Sequence, residues 1–308
     1  MRYVLISAAH NEESFIRSTL DSVCSQTLRP VRWIVVDDGS TDRTAQIVRA
    51  YSKRFGWIEL VRRPSHRERN FAAKVHAFAE GLSRVLYLDY EVLGNLDADV
   101  SFEPEYLDFL IRQFVADATL GVAGTPFLEE KDYDSARHSF EGVNHVAGGV
   151  QLFRRKCFED IGGYTPNRAG GIDWIAVTTA RMRGWKTQSF PEKRFIHHRR
   201  LGTATRGTLA SIYAHGEKDY YLGGSPVWQL LRAAYRMQRS PMIVGGLALA
   251  LGYASSALRR TPRAVSPELM RFHRAEQWTK LRAILYALMR LRAVEPFSLG
   301  SSTLDQRR

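Results

Sequence analysis

The stretch Asn95-Leu96-Asp97-Ala98-Asp99-Val100 sets two carboxylates one residue apart, directly after the apolar run Tyr90 to Leu93. With Tyr90 to Leu96 read as a strand and Asp97 at its end, both side chains turn toward one point. Such a pair suits Mg²⁺ or Mn²⁺, hard cations that take oxygen ligands and share their remaining coordination sites with substrate phosphates. The same three letters also describe a solvated turn, so the flanking sequence must decide between a ligand site and a loop.

Working outward toward the N-terminus, Val4 to Ser7 is a short apolar run, followed by His10-Asn11-Glu12-Glu13 and a helical spacing of Phe15, Ile16, Leu20 and Val23. Val31 to Val36 gives a second strand closed by Asp37-Asp38-Gly39-Ser40-Thr41-Asp42, where Ser40 or Thr41 is placed to cap the next helix. Ile58 to Val61 reads as a third strand, Asn70 to Leu82 as a third helix and Tyr90 to Leu96 as a fourth strand. This alternation predicts an α/β fold with a doubly wound, mostly parallel sheet, in which ligands gather at the carboxyl ends of the strands. Each polar cluster falls at such an end. Asp37-Asp38-Gly39-Ser40 serves as a turn and cap, and its carboxylates are also placed to accept hydrogen bonds from a base or ribose. Arg62 to Asn70, with Lys74 one turn on, reads either as a phosphate-facing loop or as a solvated one.

The 308 residues suffice for a sizeable core, and 44% hydrophobic with 25% charged residues is ordinary for a globular chain. The net charge of +12 is not ordinary, and it is uneven: residues 181–308 carry 23 Lys and Arg against 7 Asp and Glu, whereas residues 1–180 carry 21 against 25. A basic region suits nucleic acid, anionic lipid or diphosphate ligands. No zinc-finger or RNP-type pattern accompanies it, so nucleic acid is not expected as a partner. Cys24 and Cys157 are too few and too far apart for a disulfide framework or a zinc site, which fits a reducing cytosol. The N-terminal apolar run is shorter than a secretory signal requires.

Three motifs in order, Ser7-Ala8-Ala9-His10-Asn11-Glu12-Glu13, Val35-Val36-Asp37-Asp38-Gly39-Ser40-Thr41-Asp42 and Leu96-Asp97-Ala98-Asp99, make the chain resemble a family 2 glycosyltransferase, with the nucleotide-sugar-binding fold called GT-A. The resemblance continues through Gly148-Gly149-Val150-Gln151, Phe158 to Tyr164 and Gly171-Ile172-Asp173-Trp174, so that it covers about residues 1 to 200. It implies an inverting, non-processive enzyme whose donor is a nucleotide sugar and whose cofactor is Mg²⁺ or Mn²⁺. It places Ala9, Asn11, Glu12, Asp37, Asp38, Lys74 and Asp97 at the nucleotide, Asp99 and His198 at the metal, and Asp173 as the acidic base. Gly148, Gly149, Trp174, His197 and Arg200 become contacts to the acceptor or diphosphate. The chain departs from the family pattern at Ala9-His10, where a tyrosine-containing loop is usual, and at Ile172, where an acidic residue commonly stands. Read by itself, Asp173 also suits a helix N-cap. Adjacent histidines on a strand point oppositely, so at most one of His197 and His198 faces the site.

Residues 1–208 are thus expected to form the catalytic domain and residues 209–308 a helical, basic extension. Leu209 to Leu222 and Val227 to Gln238 read as helices, and residues 241 to 258 carry no charge. Flanked by Arg236, Arg239, Arg259, Arg260 and Arg263, that segment suits a re-entrant or interfacial position, a single span, or a buried glycine-containing helix pair. Residues 268 to 292 resemble an amphipathic helix whose charged face rests on headgroups. The expected partners are a nucleotide-sugar donor, a glycan or lipid-linked acceptor and an anionic membrane surface reached from the cytoplasm. The alternative is a non-catalytic membrane-surface or glycan-binding module that keeps the fold.

Overall fold

The computed structural model describes residues 1–64, 71–129, 133–135, 142–167, 170–199 and 208–289. The chain divides into two compact units, Met1–Arg199 and Arg200–Arg308. The first unit is built on a seven-stranded sheet of order β10-β6-β9-β4-β1-β2-β3. These strands are β1 Tyr3–Ala9, β2 Arg32–Asp37, β3 Ile58–Arg62, β4 Val92–Leu96, β6 Leu120–Gly124, β9 Val150–Arg154 and β10 Lys186–Ser189. The central strand β1 pairs in parallel with β2 and with β4, so it is covered on both faces and reads as a continuous apolar run. Its residues alternate between two cores. Tyr3 and Leu5 join Trp33 and Val35 of β2 on one face, while Val4 and Ile6 join Ile34 and Val36 on the other.

Helices α1 (Ile16–Cys24), α2 (Thr44–Arg54) and α4 (Tyr106–Ala116) cover the first face. Helices α3 (Phe71–Ser83), α5 (Arg155–Asp160) and α6 (Ile172–Met182) cover the second. The chain runs outward through β1, β2 and β3 and then returns to the other side of β1 as β4. A crevice therefore opens beyond the carboxyl ends of β1 and β4, where the direction of winding reverses. One departure from an all-parallel sheet matters for the site. Strand β9 runs antiparallel between β4 and β6, with Leu96 opposite Val150, so the residues just before β9 lie at the same end as those just after β4.

A second, four-stranded sheet has the order β5-β11-β7-β8, formed by β5 Val100–Ser101, β7 Phe127–Glu129, β8 Tyr133–Asp134 and β11 Phe195–His197. Strand β11 is antiparallel to β5, with His197 opposite Val100. The second unit holds α7 (Thr208–Tyr221), α8 (Pro226–Arg236), α9 (Met242–Leu258) and α10 (Pro267–Met289). Among the described residues no helix is long and apolar enough to cross a membrane.

Candidate active site

The loops after β1 and β2 are stitched together by backbone and short polar side chains. The Asp38 amide donates to the Ala9 carbonyl at 2.8 Å. Asn11 adopts a left-handed backbone, φ 54°, which asparagine tolerates better than most residues. In that conformation its amide donates to Ser40 Oγ at 3.0 Å, and its Oδ1 accepts the Thr41 amide at 2.9 Å. The wholly buried Asp37 accepts from the Ser40 amide and from Arg62 Nε, each at 3.1 Å. Asp37 therefore holds the turn that presents Asp38, whose carboxylate pairs with Arg63. Arg63 also reaches the Ala73 carbonyl beside Lys74, joining the β2 loop to the start of α3. Neither Ser40 nor Thr41 caps α2: the helix begins at Thr44 with Arg43 at the cap position and no side-chain cap bond, and the Thr44 amide donates to Asp42 Oδ1 at 2.9 Å.

Beyond β4, the Asp97 amide donates to the Gly149 carbonyl at 2.9 Å, extending the β4–β9 ladder by one residue. Asp97, Asp99 and His197 each offer one ligand atom, and these atoms lie within 4.8 Å of one another. His197 Nε2 stands 3.6 Å from Asp99 Oδ1, with its Nδ1 turned to the Arg199 carbonyl. Lys74 Nζ contacts Asp97 Oδ1, and Arg199 bridges Glu12 and Asp99, its Nε lying 3.4 Å from Asp99 Oδ2. Burial raises the Asp97 carboxyl above the usual range, opposed by the Lys74 ammonium and reinforced by Asp99. Burial works to discharge Lys74, but the carboxylates of Asp97, then Asp173 and Asp99, outweigh it and hold its pKa above the ordinary lysine value.

Asp173 occupies the first turn of α6, after Gly171, which takes the cap position with a left-handed backbone. It is thus inside the helix rather than its cap. A methyl group on Gly148 would lie 2.8 Å from Asp173 Oδ2, so this close approach requires glycine. The Gly148 carbonyl is fixed in turn by Asn95 Nδ2 at 2.9 Å. Burial lifts the Tyr164 hydroxyl well above the usual tyrosine range, and the nearby charges of Asp173 and Asp97 lift it further. Its proton is committed to Gln151 Oε1 at 2.7 Å.

The expected residues Glu12, Lys74, Asp97, Asp99, Gly148, Gly149 and Asp173 therefore converge at one end of the sheet, and Asp38 joins them through Arg63. His198 requires a correction. It was expected at the metal, but His197 stands beside Asp99 instead, because the alternation along β11 buries Phe195 and His197 and turns Ile196 outward at 45% exposure. His198 falls past the strand end, with Nε2 2.9 Å from Ser101 Oγ and its ring stacked on Phe15. Trp174 is buried. Arg200 lies outside the described residues. Two cations went unassigned in the sequence, Arg63 and Arg199; both sit in basic runs that the sequence flagged without separating their members.

The family model described as "Glycosyl transferase family 2" matches residues 4–173. The chain is 28% identical over 175 residues to the poly-beta-1,6-N-acetyl-D-glucosamine synthase of Staphylococcus epidermidis, covering 50% of this chain and 40% of that protein. With the synthase of the same description from Staphylococcus aureus strain COL it is 26% identical over 203 residues, 60% of this chain and 47% of the relative. The chain thus spans less than half the length of these curated relatives. Among solved structures, the mannosyltransferase PcManGT from Pyrobaculum calidifontis, in complex with GDP-Man and Mn²⁺, aligns with a TM-score of 0.56 at 18% identity, over 100% of this chain and 88% of that one. Staphylococcus aureus TarS 1-349 in complex with UDP-GlcNAc aligns with a TM-score of 0.55 at 15% identity, over 98% and 91%. These likenesses identify the fold as GT-A.

Proposed function

The chain belongs to glycosyl transferase family 2, and on that premise we propose that it is an inverting, metal-dependent glycosyltransferase. It takes a nucleotide-sugar donor and transfers the sugar to a glycan or lipid-linked acceptor in surface polysaccharide or glycolipid synthesis. It works at the cytoplasmic face of an anionic membrane, with residues 1–208 as the catalytic domain and residues 209–308 as the extension that meets the membrane. The observation that carries this reading is the meeting of Asp97, Asp99 and His197 with Lys74, Arg199 and Asp173 at one end of the sheet.

The charges support a divalent cation there. Four carboxylates, Glu12, Asp97, Asp99 and Asp173, are matched by two permanent cations, Lys74 and Arg199. Two carboxylates and one imidazole suit Mn²⁺ or Mg²⁺. Asp97, Asp99 and His197 would hold the ion, which when bound neutralises charge on the departing nucleoside diphosphate. Lys74 and Arg199 orient the diphosphate oxygens, and Asp38 accepts hydrogen bonds from the base or ribose. Asp173 takes the proton of the acceptor hydroxyl as that oxygen attacks the anomeric carbon, while the bond to the diphosphate breaks on the opposite face.

Release of nucleoside diphosphate from a panel of nucleotide sugars with Mn²⁺ tests the reading. Metal-dependent release with at least one donor is expected, falling about 10²- to 10⁴-fold in Asp173→Asn while donor binding persists, and lost in Asp99→Ala. Unchanged release in Asp173→Asn would remove it as the base. No release with any donor would contradict transfer altogether.

A further inference from the structure

Helix α9 buries one face and leaves the other bare. Gly245, Gly246, Leu249, Gly252, Tyr253 and Ser256 are buried. A methyl group on Gly252 would lie 2.0 Å from the Tyr213 carbonyl of α7, and one on Gly246 would lie 2.5 Å from the Ala233 carbonyl of α8. That face is therefore in backbone contact with its neighbours and has no room for lipid. On the opposite face Ile243, Leu247, Leu251 and Leu258 recur at helical spacing and are 64%, 48%, 60% and 86% exposed. They form a stripe about 22 Å long with no polar interruption among the large side chains. Soluble monomers seldom leave such a stripe uncovered.

The surrounding charge says what covers it. Between Leu222 and Pro267 the chain carries six arginines, at 232, 236, 239, 259, 260 and 263, and no aspartate or glutamate. Arg259 and Arg260 are exposed at one end of the stripe. At the other end Arg236 donates to the Arg239 and Ser240 carbonyls, and Arg239 lies over the Tyr235 ring. A second copy docked by a two-fold axis would set these same arginines against each other, which disfavours that occupant. A transbilayer position does not fit its length: 17 residues span about 26 Å against a hydrocarbon core of about 30 Å, and among the described residues no helix is long and apolar enough to cross a membrane.

We infer that α9 lies in the plane of an anionic lipid monolayer, with Ile243, Leu247, Leu251 and Leu258 among the acyl chains and the flanking arginines at the headgroup phosphates. This deepens the proposed function by naming the face that meets the membrane, and it rests on that reading only for the purpose the docking serves. Of the alternatives that the sequence left for residues 241–258, this takes the interfacial one and names the face that meets the lipid.

Flotation of the full chain with vesicles of phosphatidylcholine alone, or containing about a third phosphatidylglycerol, tests it. The wild type is expected to float with the anionic vesicles, and Leu247→Glu/Leu251→Glu to stay behind. Arg259→Ala/Arg260→Ala should weaken partition roughly fivefold per arginine removed. Thermal unfolding midpoints and solution release of nucleoside diphosphate should match wild type in both variants. A wild type that never floats, or a Leu247→Glu/Leu251→Glu variant that floats equally well, would overturn the inference. So would a dimer, by light scattering, that the glutamates dissociate. Flotation without nucleotide release from any donor would leave the docking intact and remove the transferase reading.

Discussion

Arg199 shows how much one side chain carries at this site. It reaches Glu12 across 187 positions of sequence and ties it to Asp99, with its side chain 28% exposed. Arg199→Met leaves two carboxylates without this cation, and the expected loss is about 1–2 kcal/mol, below the value for a fully buried pair because solvent reaches the guanidinium. Mn²⁺ should then raise the unfolding midpoint more in the variant than in wild type, since the ion replaces the lost charge. An equal rise in both would show that the arginine and the ion do not share a place. No local pattern announces this pairing, because a run of four basic residues near position 199 offers no reason to choose one. The histidine parity was hidden for a related reason. Phe195 and Ile196 are both apolar, so period-two alternation is silent, and the pairing of β11 with β5 and β7 settles which neighbour faces Asp99. Asp97, Asp99 and Asp38 were legible because each follows an apolar strand at the end where ligands collect.

At the scale of elements, the contact of α7 with α9 depends on glycine. Methyl groups on Gly216 and Gly252 would meet the carbonyls of Leu249 and Tyr213 at 2.1 and 2.0 Å. Helix propensity alone would make alanine stabilising by about 0.5–1 kcal/mol. The clash decides the sign, so Gly216→Ala and Gly252→Ala should each cost about 2 kcal/mol or more in denaturant unfolding. Gly56→Ala, with nothing within 4 Å, should be near neutral. In the first unit Asp117 ends α4, accepting from Thr119 and, at 3.0 Å, from Lys186 at the start of β10. Burial would raise its carboxyl, but these donors together pull it down to about 2. A depressed carboxylate stabilises the fold above its unfolded pKa and loses that contribution as pH falls through the folded one. With Asp117 31% exposed, about 1 kcal/mol should disappear between roughly pH 4 and 2, and Asp117→Asn should flatten that part of the acid profile. The repeated strand-helix pattern made the parallel half of the sheet readable. The antiparallel insertion of β9 was not, because Val150 to Arg154 reads the same in either direction and only its neighbours fix its sense.

For the whole molecule, one geometric fact joins sequence to chemistry. Residues from Glu12 to Arg199 come together because the winding reverses between β1 and β4 and because β9 brings Gly148 and Gly149 to the same end. Charge is partitioned along the chain in the same sense, acidic in residues 1–180 and basic in residues 181–308, as a cation-and-diphosphate site and an anionic surface would each require. The central claim is that Asp97, Asp99 and His197 hold one divalent cation beside Asp173. The most direct measurement is Mn²⁺ binding followed by the electron paramagnetic resonance signal of the free ion, with nucleoside diphosphate present. Wild type and His198→Ala should each take up one Mn²⁺ per chain, whereas Asp99→Ala and His197→Ala should lose it. Uptake unchanged in His197→Ala, or lost in His198→Ala alone, would contradict the account.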